Sequence, residues 1–132
     1  MDITFVLQTP NAAVILSTPG APDNLQYGPQ TLGFVTNIGG TGSNMRLAGG
    51  VRLQLTRLTA PTSYWYDPTS SWTNDPSTYT ALDVTDGTPQ TWGLSLHSPY
   101  TLDNASYTLK VIPVNNANQT STPRTRDYVF DK

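Results

Sequence analysis

Four aspartates, Asp67, Asp75, Asp83 and Asp86, lie in one short stretch of the chain. Carboxylates at such spacing suit two kinds of chemistry, acid/base hydrolysis of a glycoside or oxygen coordination of calcium. The dipeptides Asp67-Pro68, Asp75-Pro76 and Asp86-Gly87 are turn formers, and turns account for the spacing without catalysis. No Asp-x-Asp-x-Asp loop spacing occurs. The expectation is therefore no metal and no cofactor, with calcium kept as the alternative. His97 is the only histidine, set in Leu96-His97-Ser98-Pro99. A nucleophile–base–acid triad needs a placed serine, and no Gly-x-Ser-x-Gly elbow is present. A solvated loop histidine is expected. With no cysteine, thiol nucleophiles, thiolate metal sites and disulfides are excluded, and zinc is disfavoured. No catalytic residue is expected, and the chain reads as a non-enzyme.

A second constellation is aromatic. Tyr64, Trp65, Tyr66, Trp72 and Tyr79 crowd one stretch rich in Pro, Ser, Thr, Asn and Asp. Exposed Trp and Tyr stack on sugar faces while amides and carboxylates bond hydroxyls. Trp65, Tyr66, Trp72 and Tyr79 are thus the candidate ligand-binding residues. The competing reading is a structural flap folded over the sandwich edge, and it is favoured for Trp72 and Trp92. For Trp65 both readings stay open. Tyr64-Trp65-Tyr66 alternates across a strand, so one face must hold an aromatic outward unless a loop covers it.

The elements that carry these residues read as strands. Ile3, Phe5 and Leu7 alternate before the turn at Thr9-Pro10-Asn11, and Leu32 and Phe34 mark a second strand. Val14-Ile15-Leu16 is a short apolar piece, and residues 39–44 read as a flexible glycine-rich loop. Val51, Leu53 and Leu55 alternate with Arg52, Gln54 and Thr56, which predicts a half-buried strand. Trp92, Leu94 and Leu96 repeat the pattern, as do Tyr107, Leu109 and Val111, and Tyr128 with Phe130 closes the series. Residues 59–86 read as one or two short strands with long loops. No helical stripe competes. The fold class is all-β, an antiparallel β-sandwich of about seven to nine strands. One domain spans residues 1–132, with a longer aromatic-rich loop region at about 59–90.

The nine acids are all aspartate, and the net charge is −2 with the few basic residues scattered. That argues against a nucleic-acid partner. No apolar run approaches the ~20 residues of a membrane span. Met1-Asp2-Ile3 lacks the pattern of a signal peptide; if the parent protein is exported, its signal is expected elsewhere.

Several pieces taken in order resemble a known family. They are Gly50-Val51-Arg52-Leu53, Tyr64-Trp65-Tyr66-Asp67, Trp72, Trp92-Gly93-Leu94, Tyr107-Thr108-Leu109-Lys110-Val111 and Tyr128-Val129-Phe130-Asp131. Their order is similar to that of the Ig-like repeats found in tandem in large bacterial extracellular proteins and adhesins. The resemblance covers the chain from about Leu32 onward. One departure stands out. Where the family has Asp, two residues, then Gly-Asn, this chain has Asn115-Asn116-Ala117-Asn118-Gln119. Asn tolerates the left-handed turn that Gly adopts, but the missing Asp weakens a calcium analogy.

The resemblance implies a tyrosine corner near Tyr107 and a core role for Trp92. Some such domains form Lys–Asn isopeptide cross-links. Lys110 alternates out of register with the apolar residues and Lys132 is terminal, so none is expected. The resemblance also implies a non-catalytic spacer or adhesive module, secreted or on the cell surface. Its partners would be neighbouring domains of the same polypeptide, with a glycan or a host or surface protein as a further candidate. Two alternatives accompany it. One is a carbohydrate- or ligand-binding module using the Trp65/Trp72 region. The other is a subunit of a self-assembling extracellular fibre, in which Ile3 to Leu7 pairs with a neighbour's edge.

Overall fold

A computed structural model describes residues 10–20, 23, 25–28, 37–59, 61–95 and 105–131. Eleven strands lie among them. They are β1 (Ala13–Thr18), β2 (Leu25–Tyr27), β3 (Asn37–Ser43), β4 (Val51–Arg57), β5 (Ser63–Tyr66), β6 (Ser71–Thr73), β7 (Thr80–Leu82), β8 (Val84–Thr85), β9 (Gln90–Ser95), β10 (Ala105–Pro113) and β11 (Arg124–Phe130). One sheet has the order β1-β3-β9-β8. The other runs β2-β11-β10-β4-β5-β6, with β7 also against β4. Pairing is antiparallel except for the parallel contact of β2 with β11. Two antiparallel sheets in this order form a β-sandwich with the immunoglobulin variable-type arrangement, in which extra strands extend the sheet built on β4, β10 and β11.

The alternating strands pair as their periodicity predicts. Leu55 lies opposite Leu109 and Leu53 opposite Val111. Val51, Leu53, Leu55, Leu109, Val111 and Trp92 are all buried in one cluster. Each such aliphatic side chain contributes about 1.5–3 kcal/mol on burial. Arg52 and Thr56, on the other face of β4, stay half-buried. Gln54 departs from the expectation. It shares their face yet is only 8% exposed. Its Nε2 donates to the Pro76 carbonyl at 2.8 Å and the Thr78 carbonyl at 3.4 Å, so the segment after β6 folds over it. Leu94, expected in the core, is half-buried because it packs at the rim near the end of β9. Leu96, His97, Lys132 and the Ile3–Leu7 and Leu32/Phe34 stretches lie outside the described residues.

Two segments read as irregular are ordered. Residues 39–43 belong to β3 instead of a flexible loop. A Cβ on Gly40 would collide with the Ile15 carbonyl and approach the Trp92 ring to 3.0 Å, and one on Gly42 would collide with the Ala13 carbonyl. The missing side chains let β1 close on β3 under the indole, a recognised use of strand glycine. Residues 59–86 hold four short strands, β5 to β8. The cause is that β4 offers one edge to two partners. β5 pairs with Thr56 and Arg57, and β7 with Val51 to Leu53.

The chain has a polarity along the sandwich. Asn115, just past the end of β10, donates from Nδ2 to the Pro10 carbonyl at 3.1 Å. At the other end of β10, Ala105 pairs with Phe130, and Asp131 follows. Residues 10 and 131 therefore sit at opposite poles, here called leading and trailing, separated by the length of β10. Nine strand residues span roughly 30 Å.

Candidate functional site

The aromatic stretch divides by strand face. In β5, Trp65 points inward and is 0% exposed. Tyr64 and Tyr66 take the opposite face and remain half-buried. A buried indole N–H requires a partner, and Trp65 Nε1 donates to Asp67 Oδ1 at 3.0 Å. Asp67 is itself buried, and its backbone N–H donates to Thr80 Oγ1 at 3.3 Å. Trp72, opposite Trp65 in β6, lies 5.3 Å from it between ring centroids. Tyr107 continues the series at 6.1 Å from Trp72, and Tyr128 stacks on Tyr107 at 5.5 Å and 19°. Tyr27 ends it, edge-on to Tyr128 at 5.9 Å. The Arg57 guanidinium sits 4.5 Å from the Trp72 ring centroid, a cation–π contact of about 0.5–2 kcal/mol.

Trp65, Trp72 and Tyr107 thus form an aromatic layer. Trp65 offers no face on which a sugar could stack, and Trp72 is half-buried with Arg57 over its ring. Tyr79 lies in the link between β6 and β7, half-buried. The structure brings Trp65 and Trp72 together inside and sets Tyr66 outside, so the four predicted binding residues do not share one platform. Tyr107 is fully buried where the corner tyrosine was expected. The backbone just upstream of Ala105 lies outside the described residues.

The aspartates each serve backbone or side-chain geometry. Asp75 accepts from Ser77 N–H at 2.9 Å and Ser77 Oγ at 2.7 Å, and these bonds hold its carboxyl below the usual carboxylate range. Asp83 accepts from the Gly49 N–H and Asp86 from the Gly87 N–H, both at 3.0 Å. Among the described residues no three of His, Cys, Asp and Glu gather as a metal site would require.

The leading pole carries a second cluster, which sequence reasoning missed. Asn115 is fully buried at the end of β10. Its Oδ1 accepts from the Ala117 and Gln119 N–H groups at 3.0 Å each, and its Nδ2 donates to Gln119 Oε1 at 3.0 Å as well as to Pro10. An aspartate here would place a carboxylate against the Pro10 carbonyl, which explains why an amide suits this turn. Asn118 takes the left-handed conformation, φ 60°, expected where the related pattern has glycine. Arg46 Nη1 donates to Asn118 Oδ1 at 2.9 Å and Arg52 Nη2 to the same oxygen at 3.4 Å.

Beside this cluster lies an open depression of about 380 Å³, lined by Asn44, Asp86, Thr88, Gln90 and Asn116 among others. Gln90 braces its floor, accepting from Met45 N–H and donating to the Met45 carbonyl, both at 2.9 Å. No periodicity links residues 46, 52, 115 and 118. The departure at Asn115 and Asn118 from the related turn pattern was the one signal pointing to this pole. No helix among the described residues is long and apolar enough to cross a membrane.

No family model and no curated protein matches this chain. Among solved structures it is similar to murine CRIg, at 9% sequence identity and a TM-score of 0.39, over 93% of this chain and 100% of that one. A likeness this remote carries no argument, and the fold stands on the strand order and register described above.

Proposed function

We propose that this chain is a non-catalytic module of a large secreted or cell-surface bacterial protein, acting as a spacer and interaction domain between neighbouring domains. The observation that supports this reading is the polarity of the sandwich. Residue 10 lies at the leading pole, tied to Asn115, and Asp131 leaves from the trailing pole beyond Phe130. Residues 10 and 131 at opposite poles of the sandwich suit an array that extends along its length. Among the described residues, carboxylates are engaged in holding turns and rings, as Asp67 does for Trp65 and Asp75 for Ser77. That favours a passive role over hydrolysis.

The test is a polypeptide carrying one, two or three copies in series, measured by small-angle X-ray scattering. Each added copy should lengthen the particle by at least about 30 Å, the span of nine strand residues. A maximum dimension that stays nearly constant as copies are added would reject the spacer reading. A carbohydrate-binding role keeps one specific support, the placement of Tyr64 and Tyr66 on the outer face of β5. Calcium and the fibre arrangement gain no such support.

A further inference from the structure

Arg46, in the β3–β4 connection, and Arg52, on the outer face of β4, come from separate elements, yet both donate to one neutral oxygen, Asn118 Oδ1. Two guanidinium groups that share an acceptor are held close together and repel one another. Such a pair is normally neutralised by a carboxylate. Neither arginine has one within 4.0 Å among the described residues, and neither makes a further ion pair there. Arg126 shows the contrast, since it meets Asp23 at 3.5 Å and also donates to the Leu16 and Pro19 carbonyls. Asp83, at the same pole, accepts the Gly49 N–H instead. An arginine pair with no carboxylate beside it among the described residues is unexpected in a chain of net charge −2 with nine aspartates.

The pair is also braced. Arg46 Nε donates to the Gly49 carbonyl at 3.3 Å, its backbone N–H to the Val114 carbonyl at 2.9 Å, and Asn118 is held by the turn that Asn115 organises. Among the described residues, Nη2 of Arg46 and Nε and Nη1 of Arg52 make no hydrogen bond and remain available as donors to a carboxylate or sulfate. On the same outer face Lys110 lies opposite Gln54, diagonal to Arg52. Next to the pair the turn exposes Asn116, Gln119 and Thr120, amide and hydroxyl groups that suit sugar hydroxyls. Three cations beside amide and hydroxyl groups, with Asp83 and Asp86 also at this pole, match a saccharide with isolated acidic groups better than a dense polyanion such as nucleic acid.

We propose that Arg46 and Arg52, arranged around Asn118, form an oxyanion-binding site for the carboxylate of an acidic saccharide such as a uronic-acid chain. This deepens the interaction half of the reading above and rests on it. It is tested on a single domain, so its failure is separate from failure of the array measurement.

The probe is trigalacturonate, followed by calorimetry and by NMR of the arginine Nε–H signals, with maltotriose and inorganic sulfate as comparison ligands. The expected result is that trigalacturonate shifts the Arg46 and Arg52 signals and binds more weakly as salt rises, while maltotriose does not bind. Arg46→Gln combined with Arg52→Gln should weaken binding by at least about tenfold. Asn118→Asp should do the same by a different route, because the built-in carboxylate occupies both arginines, and its thermal stability should equal or exceed that of the parent. Binding unchanged in both variants, equal binding of maltotriose, or no binding of trigalacturonate would overturn the proposal. Inorganic sulfate binding as tightly as the saccharide, with loss in the same variants, would overturn the saccharide assignment and leave a simple anion site.

Discussion

Tyr128 carries a hydroxyl that the core does not accommodate. The residue is 1% exposed, and its oxygen is buried with no hydrogen-bond partner among the described residues. A hydroxyl left unpaired in this way costs about 1–3 kcal/mol. The ring itself is well placed, stacked on Tyr107 and edge-on to Tyr27, and phenylalanine preserves both contacts. Tyr128→Phe should therefore stabilise the domain by about 1 kcal/mol or more, raising Tm by about 4 °C for a chain of this size. The same burial, aided by the neighbouring phenols of Tyr107 and Tyr27, pushes the Tyr128 hydroxyl far above its ordinary value of 10.0. The sign follows from proton binding. Below pH 10 both folded and unfolded chains keep this proton. Above it the unfolded chain releases the proton and the folded chain holds it, so stability falls as pH rises. The loss from this one group approaches about 1.4 kcal/mol per pH unit. Thermal melts of parent and variant from pH 7 to 11, with phenolate absorbance as a second readout, check both effects. The variant should melt higher throughout and lose stability less steeply above pH 10. A Tm lowered by the substitution, or identical alkaline slopes, would show that the hydroxyl is satisfied and would refute the reasoning.

Leu109→Ala should cost about 2–5 kcal/mol in denaturant melts, since Leu109 is fully buried opposite Leu55, whereas Lys110→Ala on the other face of β10 should stay within about 0.5 kcal/mol. Equal losses would contradict the assignment of faces. Asn115→Asp should lower stability by about 2–3 kcal/mol, because the Nδ2 donations to Pro10 and Gln119 are lost and a charge is left buried against a carbonyl. An unchanged denaturation midpoint would show that the amide nitrogen does not order the leading pole.

Period-two alternation was enough to place Val51, Leu53, Leu55, Leu109 and Val111 inside a two-sheet sandwich, because a strand sends successive side chains to opposite faces whatever its partner. The turn at Asn118 was legible for a similarly local reason, since few residue types accept positive φ. What alternation leaves undetermined is which face another segment covers. Gln54 stands on the outer face as its parity requires, but it is buried because the segment around Pro76 and Thr78 folds onto it. Trp65 was undecided between core and ligand site until the sheet order put its face inside, against Trp72 and Asp67. The glycines of β3 read as a loop because propensity describes a residue alone, whereas their place in the strand depends on how closely Ile15 and Trp92 approach. The leading pole depends most on the tertiary structure. Arg46 and Arg52 are near neighbours in sequence but Asn118 is distant from both, and only the arrival of the β10–β11 connection at the end of the sandwich that holds the start of β4 sets two like charges on a single oxygen. Local sequence determines face and turn, while the meeting of the arginine pair with the remote Asn118 depends on how the sheets are ordered.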